Sequence, residues 1–288
     1  MAQIKAALVG CLVIMGFLAV GCHGPKPIAV ASPGKLDNLP QFGFGTGTIE
    51  PLSDTGALPP EILRLAQEKP GELFSRGLAY YRQNVRDYRC RLLRQELLGG
   101  KLLPQQEIDA WVIDQPFAVY LDWLRNPQKA KKALYLEGEN QGKVLVKPVL
   151  IGFLTPGGLP QNPAGKEARE ASRRSITEFG LGKMLERIVK AVLTGQLSAG
   201  GGFEDRFAGL ARVAGRETLI IERFRASGPK LEPEVAANFR FFLDSATLLP
   251  AAVTEFSADG AVLGHYIFRD LQINPGLTPE LLKQKFRQ

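Results

Sequence analysis

The sequence is poor in the residues on which reactive sites are usually built. It has three cysteines and two histidines among 288 residues. A hydrolase needs a nucleophile with a positioned base, and a zinc site typically takes several cysteine or histidine ligands. His265 shares one face of a predicted strand with Leu263 and Ile267, which is typical of a core or rim histidine. We therefore expect no enzyme activity, no cofactor and no metal site.

Apolar runs long enough to span a membrane are also lacking. The run from Ala6 to Val20 follows Lys5 and is shorter than the roughly 20 residues that a transmembrane helix needs. Small residues then lead to Cys22. This pattern is typical of a signal peptide, residues 1–21, with a lipid-attachment box at its end. A secretory leader cut by the general signal peptidase, with Cys22 unmodified, is the alternative.

Lipidation of Cys22 would place the protein in the cell envelope. A lipoprotein cysteine carries more than one acyl chain, which is what stable membrane attachment requires. The next residue is His23 rather than the aspartate that retains well-studied lipoproteins at the inner membrane. We therefore expect an exported protein, anchored by its lipid to the outer membrane and facing the periplasm.

The cysteines leave no pair for an internal disulfide. Cys11 is removed with the leader and Cys22 is acylated, so Cys90 has no partner. The run Tyr88–Leu92 alternates polar and apolar residues, which predicts a small buried thiol on the inward face of a strand. A reactive thiol is the alternative.

Proline and glycine are concentrated in residues 22–60. Such a segment buries too little apolar surface to offset its ordering entropy, so we interpret it as a flexible tether. A strand docked over residues 41–49 is the alternative. Residues 61–288 are enough for one domain with a substantial core.

The chain is basic, with a formal net charge of +7 and a pI near 9.3. This balance favours loose attraction to anionic lipid or polymer surfaces and is not an indication of nucleic-acid binding. The basic residues are scattered, and many alternate with apolar ones, which is typical of a solvated strand face. They include Arg86, Arg89, Arg91, Arg94, Lys129, Lys131, Lys132, Arg173 and Arg174.

Periodicity predicts helices before, between and after two sets of strands. The helices are Pro60–Asn84, interrupted at Pro70-Gly71, then Glu167–Leu197 and Thr278–Phe286, and residues 156–163 are a predicted loop. The predicted strands are Tyr88–Leu97, Glu107–Ile113, Pro116–Leu124, Ala133–Gly138, Lys143–Pro148, Val149–Leu154, Phe203–Val213, Thr218–Arg225, Asn238–Leu243, Ala251–Phe256 and Val262–Ile273. The pattern indicates a large curved sheet wrapped around helices.

Two stretches resemble known bacterial proteins. The closing stretch NFRFFLDSATLLPAAVTEFSADGAVLGHYIFRDLQINPGL resembles the last strands of the LolA-like superfamily of outer-membrane lipoprotein-sorting carriers. The segments QPFAVYLDWL and KKALYLEGENQGKVLVKP resemble a family of bacterial lipoproteins with the domain of unknown function 1571, which we group with the same superfamily. The resemblance covers roughly residues 71–277. It implies an α+β fold, an incomplete antiparallel β-barrel of about eleven strands with helices plugging the concave side.

The resemblance also implies a function, the binding or carrying of a lipid or of a lipoprotein acyl chain in an apolar cavity. The soluble shuttle of the superfamily is not lipidated, so ligand binding carries over better than shuttling. The alternative is a non-catalytic interaction or structural lipoprotein whose barrel is filled by its own side chains and whose rim binds an envelope protein. Candidate cavity residues share inward strand faces: Phe117, Val119, Leu121, Phe239, Phe241, Leu243, Tyr266 and Phe268. Ordinary core packing is the competing interpretation for each of them.

Overall fold

The computed structural model of the protein describes residues 49–52, 58–194, 202–225, 231–232 and 234–288. The predicted signal peptide 1–21, Cys22 and most of the predicted tether 22–60 lie outside these residues. No helix of the described residues is both long and apolar enough to cross a membrane.

Helices border and interrupt the strands. They are α1 (Pro60–Glu68), α2 (Pro70–Asn84), α3 (Lys166–Arg169), α4 (Leu181–Thr194) and α5 (Pro279–Arg287). The predicted interruption at Pro70 is confirmed, because proline lacks the N–H that would continue α1 but fits the first turn of a new helix. At α5, the Thr278 side chain accepts a hydrogen bond from the Leu281 N–H at 3.2 Å, which begins the helix where the sequence predicted it.

The described strands form one antiparallel sheet of thirteen strands. They are β1 (Ile49–Leu52), β2 (Asp87–Leu98), β3 (Lys101–Leu102), β4 (Gln106–Ile113), β5 (Ala118–Arg125), β6 (Ala130–Leu136), β7 (Val144–Pro148), β8 (Leu159–Gln161), β9 (Phe203–Val213), β10 (Arg216–Arg225), β11 (Asn238–Asp244), β12 (Pro250–Phe256) and β13 (Val262–Ile273). Their order is β1-β9-β10-β11-β12-β13-β2-β4-β5-β6-β7-β8, with β3 paired to β2. The last strand β13 therefore joins the two halves by pairing with β2.

The sheet is open, since β1 and β8 are its two edges and do not pair with each other. The predicted fold class, an incomplete antiparallel barrel with helices, is confirmed. The strand count is thirteen rather than about eleven. Two of the additional strands, β3 and β8, contain only two and three residues, too few for a periodic signal.

Strand alternation divides the core between two faces. On the inner face, which we define as the one covered by α1, α2 and α4, residues such as Leu92, Val119 and Phe241 join the largest apolar cluster. On the outer face, Leu282 and Phe286 of α5 pack against strand residues of β4, β5 and β6. The helices are therefore not all on one side, because α5 covers the face opposite the other long helices.

The first strand, β1, lies in the part of the chain that was predicted to be a tether. It pairs with β9, with Ile49 opposite Val213 and Leu52 opposite Leu210. The fold therefore includes residues that the sequence assigned to the tether. The alternative docked strand, 41–49, reaches only the first residue of β1, and the rest of it lies outside the described residues.

The predicted strand Val149–Leu154 is wrong. Strand β7 ends at Pro148, and the chain reverses through a 3₁₀ turn at Gly152–Leu154. This reversal lets β8 pair back onto β7, with Leu159 opposite Val146. The edge strand therefore lies inside residues 156–163, which were predicted to be a loop. The apolar residues of 149–154 are equally consistent with an edge strand and with an exposed turn that precedes one, so the pattern alone could not decide between them.

The predicted helix Glu167–Leu197 is broken within its first half. Within its described residues, 167–194, only α3 and, after residues 170–180, α4 are α-helical. Gly180 has a φ of +108°, a conformation that glycine adopts readily and that stops a helix. The irregular segment 170–180 places polar side chains over the inner face of the sheet, where the candidate site lies.

Candidate ligand-binding cavity

The inner face is not completely filled. A cavity of about 390 Å³ lies between the sheet, the segment 170–180 and α4. Its apolar strand residues are Leu92, Leu121, Trp123, Ala130, Ala133, Val144, Val146, Pro148, Phe239, Phe241, Val253 and Phe268. This volume is at the lower end of the roughly 300–1,000 Å³ that ligand pockets occupy.

Strand register explains why these residues meet. Phe241 lies opposite Val253 on β12, and Val253 lies opposite Tyr266 on β13. Tyr266 in turn faces Arg94 on β2. Because directly paired residues share a face of an antiparallel sheet, one row crosses four strands and changes from apolar to polar along its length.

Five of the eight predicted cavity residues line the cavity. They are Leu121, Phe239, Phe241, Tyr266 and Phe268. The other three belong to the same inner-face cluster but not to the cavity lining: Phe117, Val119 and Leu243. Phe117 contacts the Lys183 ammonium, 5.2 Å from its ring centroid. Ligand binding by any of the eight stays a prediction, and Cys22 lies outside the described residues.

Aromatic side chains fill the inner face beside the cavity. Phe74 of α2 meets Phe241 edge-to-face, with ring centroids 4.9 Å apart, and Phe239 stacks on Phe241 at 5.8 Å. The Arg223 guanidinium lies 4.9 Å from the Phe74 ring centroid and pairs with Asp205 at 2.6 Å. The part of the sheet under α2 is therefore filled by the protein itself, while the cavity lies next to it.

The charged residues of the cavity were not predicted from the sequence. Arg94, interpreted as solvated, is buried on the inner face. Its Nε donates a hydrogen bond to Gln106 Oε1 at 2.6 Å, and its guanidinium lies 5.7 Å from the centroid of the Trp123 ring. The sequence did contain one indication that Arg94 is buried. Leu92, Arg94 and Glu96 share one strand face, and Leu92 points inward.

Glu96 and Tyr266 continue this polar group. The Tyr266 hydroxyl donates a hydrogen bond to Glu96 Oε1 at 2.8 Å, and Arg94 lies 3.5 Å from Glu96 Oε2. Burial and the nearby Glu96 carboxylate raise the pKa of Tyr266. The phenol therefore stays protonated and donates to Glu96 throughout the neutral range.

Two arginines of segment 170–180 bind one carboxylate. Arg173 Nε lies 3.0 Å from Glu255 Oε2, and an Arg174 terminal nitrogen lies 2.9 Å from Glu255 Oε1. Burial alone would raise the pKa of Glu255, but Arg174 and Arg173 hold it below its usual value. Arg173, also interpreted as solvated, is only 9% exposed in its side chain. Through these two ion pairs, Glu255 connects segment 170–180 to β12.

The one histidine of the described residues lies away from the cavity. His265 is buried next to Ile267 on the outer face, and its Nδ1 is 2.9 Å from Thr254 Oγ1. Among the described residues, no group of three His, Cys, Asp or Glu side chains could hold a metal ion. Cys90 is a free, buried thiol, which confirms the buried thiol expected from the sequence. Burial raises its pKa to about 12, and its low reactivity stays a prediction.

The fold and the cavity define a class of protein, an open antiparallel half-barrel with a largely apolar space on its helix-covered face. Residues 85–286 match the model of a family described as protein of unknown function (DUF1571). Because the match covers more than half of the chain, the chain belongs to this family, and the membership indicated by its motifs is confirmed. No curated protein matches the chain.

Several solved structures resemble the chain at low identity. The Pseudomonas aeruginosa MucA/MucB complex is similar at 17% identity and a TM-score of 0.41, over 74% of this chain and 59% of that one, so this chain spans less than two thirds of that relative. Mycobacterium tuberculosis lipoprotein LppX is similar at 13% identity and a TM-score of 0.36, over 73% and 99%. A LolA superfamily protein from Nitrosomonas europaea is similar at 6% identity and a TM-score of 0.28, over 73% and 96%. With TM-scores this low, the function proposed below rests on the residues of this chain.

Proposed function

We propose that the chain is a lipid-anchored protein of the cell envelope that binds or carries an apolar ligand, a lipid or a lipoprotein acyl chain, without a catalytic step. The observation that carries this proposal is the unfilled space of about 390 Å³ over an apolar strand floor. Cores are packed to the density of organic crystals and have few voids larger than a water molecule. A cavity of this size next to a fully packed aromatic cluster is therefore suited to a ligand.

Filling the cavity tests the proposal without burying a charge. Ala168 of α3 lines the cavity, whereas Ala164, four residues earlier, is exposed and lies outside the lining. The unlipidated mature chain, carrying Cys22→Ser behind a secretory leader, would be titrated with the neutral fluorescent probe N-phenyl-1-naphthylamine. Ala168→Trp should weaken probe binding at least about tenfold because the indole occupies the cavity, and Ala164→Trp should leave binding unchanged.

The two contrary results have different meanings. Equal binding by both variants and the parent would place the ligand elsewhere on the protein. An absence of binding by the folded parent would contradict the ligand-binding proposal as a whole. Circular dichroism and a thermal melt of each variant establish that it is folded before its affinity is compared.

The lipid anchor is a separate part of the proposal. It is supported by the leader and by the small residues before Cys22. Replacement of the acylated thiol, Cys22→Ser, should move the protein from the membrane fraction to the soluble fraction. If the variant stays with membranes after a high-salt wash, the anchor lies elsewhere.

An interaction lipoprotein is the second candidate, because the connection between β7 and β8 exposes apolar side chains. Leu150 is 84% exposed and Leu154 is 66% exposed, and exposed apolar residues that cluster mark interaction surfaces. Under this candidate, a double Leu150→Ser and Leu154→Ser variant should lose a defined cross-link to one envelope protein and keep probe binding. Leu102→Ser, an equally conservative change at an exposed residue of β3, should lose neither.

A further inference from the structure

The polar side chains of the cavity wall form two groups of contacting residues. Tyr266 and Glu96 contact each other, Arg94 lies beside Glu96, and Glu255 binds Arg174. Arg187, on α4, also lines the cavity. The apolar strand floor thus adjoins a wall on which charges are concentrated.

Each of the two buried carboxylates in the cavity wall already lies next to at least one arginine. Arg94 is beside Glu96, and the single carboxylate of Glu255 is shared by Arg173 and Arg174. Three guanidinium groups therefore face two buried carboxylates. Two further acidic residues of the wall, Glu167 and Glu178, are exposed to solvent, where their charges are screened.

Arg187 has no carboxylate within ion-pair distance among the described residues. It donates a hydrogen bond to the backbone carbonyl of Glu178 at 2.8 Å. Burial, followed by the nearby positive charge of Arg174, lowers the pKa of Arg187, and the carboxylates of Glu178 and Glu255, which form no ion pair with it, only partly oppose this lowering. Two arginines that repel each other at the wall of a cavity are a favourable site for an anion, since guanidinium binds carboxylate through two parallel hydrogen bonds.

Arg174 remains accessible to such an anion. Its side chain is 41% exposed although it contacts Glu255, and Arg187 is half-buried. Both therefore retain donors that can turn toward a ligand. The buried Arg94, by contrast, already donates to Gln106 and Ser172, and Glu96 Oε1 accepts from Tyr266.

We propose that the cavity binds a single-chain fatty acid, with its carboxylate between Arg174 and Arg187 and its hydrocarbon chain on the apolar strand floor. This deepens, and rests on, the proposed apolar-ligand function. One chain fits the small volume better than several. Its single negative charge would lie beside two guanidinium groups, of which only that of Arg174 contacts a carboxylate. The head group would be held by the wall and the chain by Phe241, Phe268 and their neighbours.

Competition between an acid and an alcohol of the same chain length tests the head-group site. Dodecanoate and dodecan-1-ol would displace N-phenyl-1-naphthylamine from the unlipidated mature chain. We expect dodecanoate to bind at least about tenfold more tightly than the alcohol, a difference of about 1.4 kcal/mol. Arg187→Gln, which keeps a donor for the Glu178 carbonyl but removes the charge, should bring the affinity for dodecanoate down to that of dodecan-1-ol and leave the alcohol unaffected.

Three further variants separate the effect of charge from that of side-chain shape. Arg187→Lys should recover part of the preference for dodecanoate because it restores the positive charge. Arg169→Gln changes an exposed arginine of α3 that does not line the cavity, and it should alter neither affinity. Arg174→Gln should reduce dodecanoate binding in the same direction as Arg187→Gln.

The possible failures are distinguishable. Equal affinity of the parent for acid and alcohol, or an equal loss of both in Arg187→Gln, would overturn the carboxylate site and leave the apolar-ligand function standing. No displacement by either compound, from a parent that also fails to bind the probe, would overturn the proposed function together with this inference.

Discussion

The Tyr88 hydroxyl on β2 accepts a hydrogen bond from the backbone N–H of Leu181 at 2.9 Å. The first N–H groups of a helix have no acceptor within the helix, so this contact satisfies one of them at the start of α4. Both residues are completely buried. Gly180 makes the approach possible, because a Cβ there would lie 2.8 Å from the Tyr88 oxygen. This hydrogen bond therefore fixes the start of α4, the helix that carries Arg187, relative to the sheet.

Removal of this hydroxyl should destabilise the fold. Tyr88→Phe leaves the Leu181 N–H buried without an acceptor, which costs about 1–3 kcal/mol. Urea denaturation of parent and variant measures the difference in the free energy of unfolding. Tyr80→Phe is the matched control, since the Tyr80 ring is half-buried and its hydroxyl bonds to no described residue, so we expect a change within about 0.5 kcal/mol. Equal stability of all three proteins would contradict the role of the contact.

A second close approach lies under α2. A Cβ at Gly77 would be 2.5 Å from the Leu248 carbonyl oxygen. Helix propensity alone predicts that Gly77→Ala stabilises the protein by about 1 kcal/mol. Overpacking predicts the opposite sign, a loss of about 1–3 kcal/mol, and we expect it to dominate because the neighbouring atom belongs to the backbone. Ser75→Ala, on the exposed side of the same helix, should be neutral or stabilising, and a stabilised Gly77→Ala would refute the close packing.

Periodicity was sufficient where local and tertiary preferences agree. The break between α1 and α2 follows from Pro70, and long strands such as β13 carry an alternation that their partners reinforce. The predicted inward face of β11 is also the observed one, with Phe241 inside and Phe242 outside. These features depend on neighbours in the sequence or on a pattern repeated over many residues.

The polar wall of the cavity could not be predicted in this way. Arg173 and Arg174 leave the expected helix because Glu255, far along the chain, binds both of them. No local pattern encodes that partner. Arg94 was recognisable only by its strand face, and its alternation with apolar residues is equally consistent with solvent exposure. The residues that give the cavity its chemistry are therefore those that depend on long-range pairing.

Cys90 should be protected from thiol reagents in the folded protein. Its side chain is 1% exposed, and burial followed by the charge of Asp109 raises its pKa to about 12, so almost no reactive thiolate is present near neutral pH. In the unlipidated mature chain, which carries Cys22→Ser, labelling at pH 8 should be slow until urea unfolds the protein. Ala79→Cys, at an exposed position of α2, should label rapidly in the folded state. Native labelling of Cys90 at that rapid rate would contradict its burial.

His265 should make stability depend on pH between about 4 and 6.5. Burial lowers its pKa from 6.5 to about 4, so in this range the unfolded chain takes up a proton that the folded chain does not. The free energy of unfolding therefore falls as the pH decreases through this window, by on the order of 3 kcal/mol in total. Well above pH 6.5 the imidazole is neutral in both states and contributes no slope.

Comparison with His265→Gln isolates this contribution from that of the acidic residues. Glutamine can still hydrogen-bond Thr254 but does not titrate, whereas carboxylates such as Glu255 are unchanged in both proteins. Urea denaturation at several pH values should give two curves that are parallel well above pH 6.5 and converge as the pH falls toward 4, because the parent loses stability more steeply. The variant can be less stable throughout, since it alters a buried contact with Thr254. The pH dependence of the free energy of unfolding, and not its absolute value, is therefore decisive. Curves that remain parallel from pH 7 to pH 4 would mean that His265 has the same pKa in the folded and unfolded states.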